Sequence, residues 1–579
     1  MYLGTADFVV FGLTLLISIL IGVYFRCSGG KQQTNQEYLL GNKNQGVIPI
    51  AFSLVASFAS SISILGYTSE VYNYGTHFFV INVAYLVSTP TAAIFYLPVL
   101  FKNNTISVYE YLEKRFGHTT RLLASMAFTL QMILYMGVVH YAPAIAVEAV
   151  TGFPQTWSII CIGIICIFYG TIGGVRAVII TDLFQTLLMF AAVFAIIIVT
   201  AIDANGFEQI YDVANAGGRI QFSNFNIDPT ERHSWFTVLI GGFFTHITLY
   251  AINQAQVQRY VSMKSYKSAA TALMLSCPIL IAFMSSLCLV GLCLFYYYRD
   301  CDPIKEGRIK SADQLVPRYV LDRLNGIPGL TGLFVAGIFS ASLSTVSAAV
   351  NSLAAVTLED YVKPAYKYFY KTEMQTLDAG LTKFLALTYG FVCLAVALLI
   401  RNYESLLTAC FTVFGVCGGP LFALFTAGMM IPAVNELGAI VGFLTGLVFC
   451  FVMGFGGPKP KSVPLPTSIQ GCVNSNFTAV IYGTVDAINN TATASAQTGN
   501  STDYNYLFKI SYMYYIVLGF GVTLLLSILV SLVAGQPEDS TPDPDLFTPL
   551  VARHIRNRLR QEETVYMYDM KKLEELEKS

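Results

Sequence analysis

The chain has 579 residues, 55% of them hydrophobic and only 12% charged, with a formal net charge of −1. Apolar runs of about 20 residues, the length that crosses a hydrocarbon core as a helix, recur along it; this excludes a soluble domain and defines a polytopic helical membrane protein. Nothing in the composition suggests nucleic-acid binding, and no nucleophile, metal cluster or phosphate loop points to an enzyme.

Thirteen spans can be drawn in chain order, at about 8–25, 47–72, 78–100, 122–150, 157–172, 177–202, 235–252, 269–297, 329–356, 384–400, 406–430, 438–455 and 512–533. The first lacks the basic lead-in and clear cleavage pattern of a signal peptide, so it reads as a retained helix. Positive charge gathers in the loops after the first, third, seventh and ninth spans (for example Arg26, Lys43; Lys102, Arg115, Arg121; Arg259, Lys264; Lys363, Lys371). That bias predicts an N-terminus outside and a C-terminus inside. Sequons at Asn476, Asn489 and Asn500 then fall in an outer loop at 456–508, open to glycosylation, whereas the one at Asn103 falls inside and goes unused. Most of the 12 Cys lie in apolar runs as small hydrophobes. Cys301 and Cys472 lie in polar outer loops, where either a disulfide or two free thiols is open to them. Residues 536–579 read as a solvated cytoplasmic tail, with a regulatory docking segment as the alternative.

The second span is small and hydroxylated in its middle, with Ser57, Ser60, Ser61 and Ser63 close together. Small residues allow close helix packing, but they do not account for four hydroxyls. A locally unwound helix here would free carbonyls to bind a cation. In the sixth span Asp182 is a carboxylate inside an apolar run, either a functional site or a structural ion pair with Arg176. In the seventh, Gly241 and Gly242 permit a helix break, and Tyr250, Asn253, Gln254 and Gln256 add polar groups beyond it. His246 in that span, and His140 in the fourth, are each either a substrate contact or a neutral packing residue. The ninth span contains FSASLSTVSAAVNS, residues 339–352, where Ala341, Ser344 and Thr345 share one helix face. Two hydroxyls and a carbonyl on one stripe, buried at membrane depth, are hard oxygen ligands for a dehydrated alkali cation.

The segments GGVRAVIITDLFQ, NQAQVQRY, LSTVSAAVNSLAAVTLEDYVKP, ILYMGVVHYAPAIAVEAVTG and RDCDP together resemble the sodium/solute symporter family. Within it they resemble the branch holding monocarboxylate, iodide and multivitamin (biotin and pantothenate) transporters, and the likeness runs from about residue 7 to 535. The resemblance implies an all-α LeuT-type fold of two inverted five-helix repeats. An extra N-terminal helix would occupy 1–46, the transport core 47–430, and additional helices 431–535. It implies a sodium site on Ala56, Ala59, Ala341, Ser344 and Thr345. A substrate or second-sodium region would involve Ser57, Ser63, Tyr135, His246, Tyr250, Gln254, Leu407 and Phe411, with Asp182 and Gln185 on the inner path. His246 stands where this branch often has Trp, and Ser63 where iodide carriers have Gln, which argues against iodide. The function implied is plasma-membrane, sodium-coupled import of short monocarboxylates such as lactate, pyruvate or short-chain fatty acids. Biotin or pantothenate transport, iodide transport, and a sodium-sensing receptor or leak channel are the alternatives.

Overall fold

A computed structural model describes residues 4–27, 35–103, 105–372, 379–400, 405–460, 462–472, 505–535, 543–561 and 564. Asn476, Asn489 and Asn500 lie outside the described residues. Among the described residues there is no strand, and eleven helices are long and apolar enough to cross a membrane, or twelve with one sharply bent pair counted as a span. The apolar helix Gln155–Gly170, drawn as a span from sequence, falls short of that length.

The elements that build the site are α1 (Thr5–Cys27), α2 (Val47–Phe58), α3 (Thr68–Tyr74), α4 (Ile81–Thr91) and α5 (His118–Thr151). They continue with α6 (Gln155–Gly170) and α7 (Gly174–Asp203), which meet at Gly174, where φ 60° and ψ 170° suit only glycine. Then come α8 (Trp235–Ile247), α9 (Gln254–Val261), α10 (Tyr266–Tyr298) and α11 (Leu330–Val356). The last are α12 (Ala379–Ile400), α13 (Leu406–Met430), α14 (Glu436–Phe455) and α15 (Tyr515–Ala534).

The centre of the bundle is α11, with 25 of its 27 residues buried. A helix enclosed on all sides needs no amphipathic stripe, and its Ala, Ser and Gly content lets neighbouring backbones approach. Several of its hydroxyls bond to carbonyls of the preceding turn, as Ser347 does to Ser344 (3.0 Å) and Ser352 to Ala349 (2.8 Å).

Two spans are broken. The first core helix stops at Phe58, Ala59 leaves the helical region (ψ 85°), and a π-turn at Ser63–Tyr67 leads into α3. The two halves meet at 63°. The second break lies between α8 and α9, at Asn253 (φ −71°, ψ 129°), after a π-turn at Thr248–Ile252. This corrects the expectation of a break at Gly241 and Gly242. Those glycines stand inside α8 for close packing: a Cβ on Gly241 would lie 2.5 Å from the Met513 carbonyl oxygen, and one on Gly242 2.7 Å from Ile81. Asn253 breaks the helix because its side chain accepts from the Ala255 N–H and so caps the new one.

The ends of the bundle are tied differently. At one, a disulfide joins Cys301 to Cys472, with Cα atoms 5.0 Å apart, and Leu465 N–H donates to Asn73 O (2.7 Å). At the other, the segment from Asp543 is docked rather than wholly solvated, which corrects the expected free tail over this stretch. Phe547 is buried under the Arg115 guanidinium, 5.0 Å from its ring centre. Tyr111 donates to Leu546 O (3.0 Å), Thr548 N–H to Met429 O (2.9 Å), and Asp545 pairs with Lys102 and Arg556. Truncation by Phe547→Ala removes about 2–3 kcal/mol of aromatic burial. Limited trypsin digestion of the purified chain should then cut at Arg553 or Arg558 many times faster than in wild type. An unchanged digestion rate would show that the docking does not depend on this side chain.

Candidate functional site

The two broken helices face α11 at mid-bundle. Where α2 ends, its last carbonyls lose their helical partners, and Ala56 O instead accepts from Ser344 Oγ at 3.0 Å. Ala341 O accepts from Ser344 Oγ (3.2 Å) and from Thr345 Oγ1 (3.0 Å). Ala59 is the first non-helical residue of the break. All five residues are buried. The structure thus gathers Ala56, Ala341, Ser344 and Thr345 into one nest of carbonyl and hydroxyl oxygens, with Ala59 three residues on from Ala56 at the helix break. No carboxylate belongs to it, so any charge bound there is met by neutral dipoles.

Beside this nest lie two adjoining cavities. One, the polar cavity of the two, has the hydroxyls and amides of Thr345, Ser57, Asn253 and Gln256 set among apolar side chains such as Met132 and Ala348. The other is aromatic: Tyr67, Phe78, Tyr85, Phe411 and Met284 line it, with Ser60, Ser63, Thr245, Leu407 and Cys410. Phe58, Tyr135, Leu249 and Phe414 belong to both and form the neck between them. The structure therefore places Ser57, Ser63, Tyr135, Leu407 and Phe411 on cavity walls.

Three other expected substrate residues stand elsewhere. His246 is buried behind the wall, stacked on Tyr250 (centroids 4.3 Å, 19°) and packed on Tyr85 (4.6 Å), with Nδ1 2.7 Å from Ser88 Oγ. That is the packing role left open from sequence. Tyr250 donates to Leu54 O (3.2 Å). Gln254 spends its amide on the chain at 106–108, accepting from Val108 N–H (2.8 Å) and donating to Ile106 O (2.7 Å). His140 is likewise a packing residue, with Nδ1 2.8 Å from Met136 O.

Asp182 pairs with Arg259 rather than Arg176. Its Oδ2 lies 3.1 Å from Arg259 Nη2 and accepts from Ser53 Oγ at 2.6 Å, while Arg259 Nε donates to Ser53 Oγ (2.6 Å). Arg176 is exposed, close to the Gly174 break and far up the helix from the buried carboxylate. The pair sits on the side of the nest toward the docked tail and joins α2, α7 and α9. Gln185, one turn on, is buried with no hydrogen-bond partner for its amide among the described residues.

At the disulfide end a second cluster closes over the cavities. Glu70 on α3 accepts two hydrogen bonds from Arg232 (2.7 and 3.0 Å), and His233 Nε2 lies 3.0 Å from Tyr512 Oη. Burial, with the Arg232 charge next to it, pushes the His233 pKa well down, so the ring is neutral and acts by hydrogen bonding. Asp313 accepts from Leu406 N–H at 3.1 Å, and burial raises its pKa to about 6. This cluster was missed from sequence, although Glu70 inside a drawn span was the signal for it.

A family model described as the sodium:solute symporter family matches residues 38–446. A putative sodium-dependent multivitamin transporter of Drosophila melanogaster is 48% identical over 96% of this chain and 93% of its own length. Human sodium-coupled monocarboxylate transporter 1 is 39% identical over 91% of this chain and 87% of its own. Among solved structures, a Na+-coupled sialic acid symporter superposes with a TM-score of 0.73 at 20% identity, covering 92% of this chain and 99% of that one. That likeness establishes the fold.

Proposed function

The chain belongs to the sodium:solute symporter family, a multi-pass membrane carrier and not an enzyme, and we propose that it imports elongated organic monocarboxylates of the biotin and pantothenate kind with sodium. The observation that carries this reading is the 48% identity, over nearly the whole chain, to a relative named for multivitamins. The two adjacent cavities suit it chemically, with hydroxyls and amides at Thr345, Ser57, Asn253 and Gln256 and apolar rings at Phe78 and Phe411. Short monocarboxylates, put first on the sequence alone, are the second reading, supported by the 39% identity to a monocarboxylate carrier.

In this scheme sodium is held by the carbonyls of Ala56, Ala59 and Ala341 and the hydroxyls of Ser344 and Thr345. Thr345 also lines the polar cavity, so the ion's charge stands beside the substrate carboxylate. No Lys or Arg lines either cavity. Carboxylate binding therefore depends on sodium, on helix dipoles at the breaks and on hydroxyl donors. By linkage each ligand improves the other's affinity by the same factor. The Glu70–Arg232 cluster and the Asp182–Arg259 pair are the outer and inner closures of an alternating-access cycle at the plasma membrane, with the N-terminus and the disulfide outside.

The test is uptake and current in cells expressing the full chain, with sodium or choline outside, across lactate, nicotinate, biotin, pantothenate and iodide. Saturable, sodium-dependent accumulation of biotin and pantothenate is expected. Accumulation of lactate that biotin does not inhibit would give the function to the short acids. Sodium current without accumulation of any solute would make the chain a sensor or leak channel.

A further inference from the structure

Of the buried hydroxyls on the cavity walls, Tyr67 Oη is one that has no hydrogen-bond partner among the described residues. Ring contact with Phe78 (centroids 5.0 Å, 56°) holds the phenol in place, and the residue is 2% exposed. Leaving a buried donor without a partner is unfavourable, and Phe at this position would keep the ring contact with Phe78 without that cost. A ligand that supplies the missing acceptor or donor resolves the cost.

Position says which part of the ligand that is. Tyr67 lines the aromatic cavity and not the polar one, whereas Thr345 lines the polar cavity and not the aromatic one. In the chain Tyr67 lies beyond the helix break, at the end of the π-turn, while Ser57 lies before it. A molecule whose carboxylate sits beside Thr345 and Ser57 must pass the neck at Phe58, Tyr135, Leu249 and Phe414 to reach the phenol. We propose that Tyr67 reads the far end of the substrate, selecting monocarboxylates that carry a neutral amide, ureido or hydroxyl group remote from the carboxylate. This rests on the reading of elongated substrates above and names the residue that distinguishes them from fatty acids of equal length.

The apolar part of the wall around the phenol gives the discrimination its direction. A plain alkyl end gains contact with Phe78, Phe411 and Met284 but leaves the phenol unpaired. A polar end pairs with it. Sites built around such a hydrogen bond reject the analogue that lacks it more strongly than an apolar pocket rejects an added hydroxyl.

The experiment compares wild type with Tyr67→Phe in the full-length carrier, measuring KM and Vmax for biotin and pantothenate and the inhibition constant of octanoate. Tyr67→Phe should raise KM for both vitamins about tenfold with Vmax little changed. Octanoate should inhibit as well as before or better, and at saturating vitamin the sodium concentration for half-maximal uptake should not move. Unchanged vitamin KM, or equal losses for vitamin and octanoate, overturns the assignment while leaving the transport reading intact. A wild-type carrier that takes up neither vitamin overturns both.

Discussion

Thr345→Ala and Ser344→Ala should each raise the sodium concentration for half-maximal uptake by about tenfold or more. A carbonyl ligand cannot be deleted by mutation, but a hydroxyl can, and these two are the hydroxyls of the nest on α11. In the proposed sodium site each supplies a charge–dipole contact, and loss of one partner to a charged group costs about 1.5–3 kcal/mol. Thr345→Ser keeps the oxygen and should stay near wild type. Ser344 also ties α11 to α2 through Ala56 O, so a fall in surface abundance must be separated from a fall in ion affinity. Ser352→Ala is the control: its hydroxyl bonds only to Ala349 of its own helix, so its loss should leave sodium dependence alone. Sodium curves for both Ala variants that overlay the wild type would remove the ion from this nest.

Because Thr345 faces both the nest and the polar cavity, the same variant should weaken substrate as well as ion. Coupling of this kind needs no moving part; it follows from one side chain bordering two ligands. Ser344, which does not line either cavity, should act on substrate only through sodium. At saturating sodium the Ser344→Ala substrate KM should therefore approach wild type, whereas the Thr345→Ala value should not.

What could be read from the chain alone was whatever adjacent residues encode. Small and hydroxylated stretches in apolar runs marked both α11 and the break after Phe58, because spacing along one helix decides which residues share a face. Pairings between distant segments were not visible in that way. Arg176 looked like the partner of Asp182 because it is near in sequence, yet Gly174 turns the chain there and packing brings in Arg259 from 77 residues away. The glycines at 241 and 242 looked like a break for the same reason; tertiary contact with Met513 and Ile81 gives them their use. His246 looked like a cavity residue because it is polar in an apolar span. Its partner Ser88 and the rings of Tyr85 and Tyr250 come from two other turns of structure. The docked tail had no local signature beyond one Phe among Pro and Asp residues.

Arg259→Ala should reduce uptake on the order of a hundredfold, more than any cavity variant. The side chain is 5% exposed and Asp182 is fully buried, so its removal leaves an unpaired carboxylate inside the bundle. Breaking one partner of such a pair costs about 3–5 kcal/mol, most of it the penalty of the charge left behind. Asp182→Asn should therefore be less severe than Arg259→Ala only if the guanidinium can relax onto Ala255 O, to which Nη1 already donates at 2.6 Å. The double variant Asp182→Asn with Arg259→Gln removes both charges and keeps hydrogen-bonding capacity toward Ser53. It should recover at least part of the surface abundance and uptake lost in Arg259→Ala. The double-mutant cycle then measures the pair itself. The pair connects α2 and α9, one half of each broken span, to the continuous α7, so opening of the tail side must part it. Once the pair is gone, that opening is favoured, and apparent substrate affinity from the opposite side should fall even for the molecules that reach the surface. Additive losses in the cycle, with affinity unchanged in surviving carriers, would make the pair a folding element and not a closure.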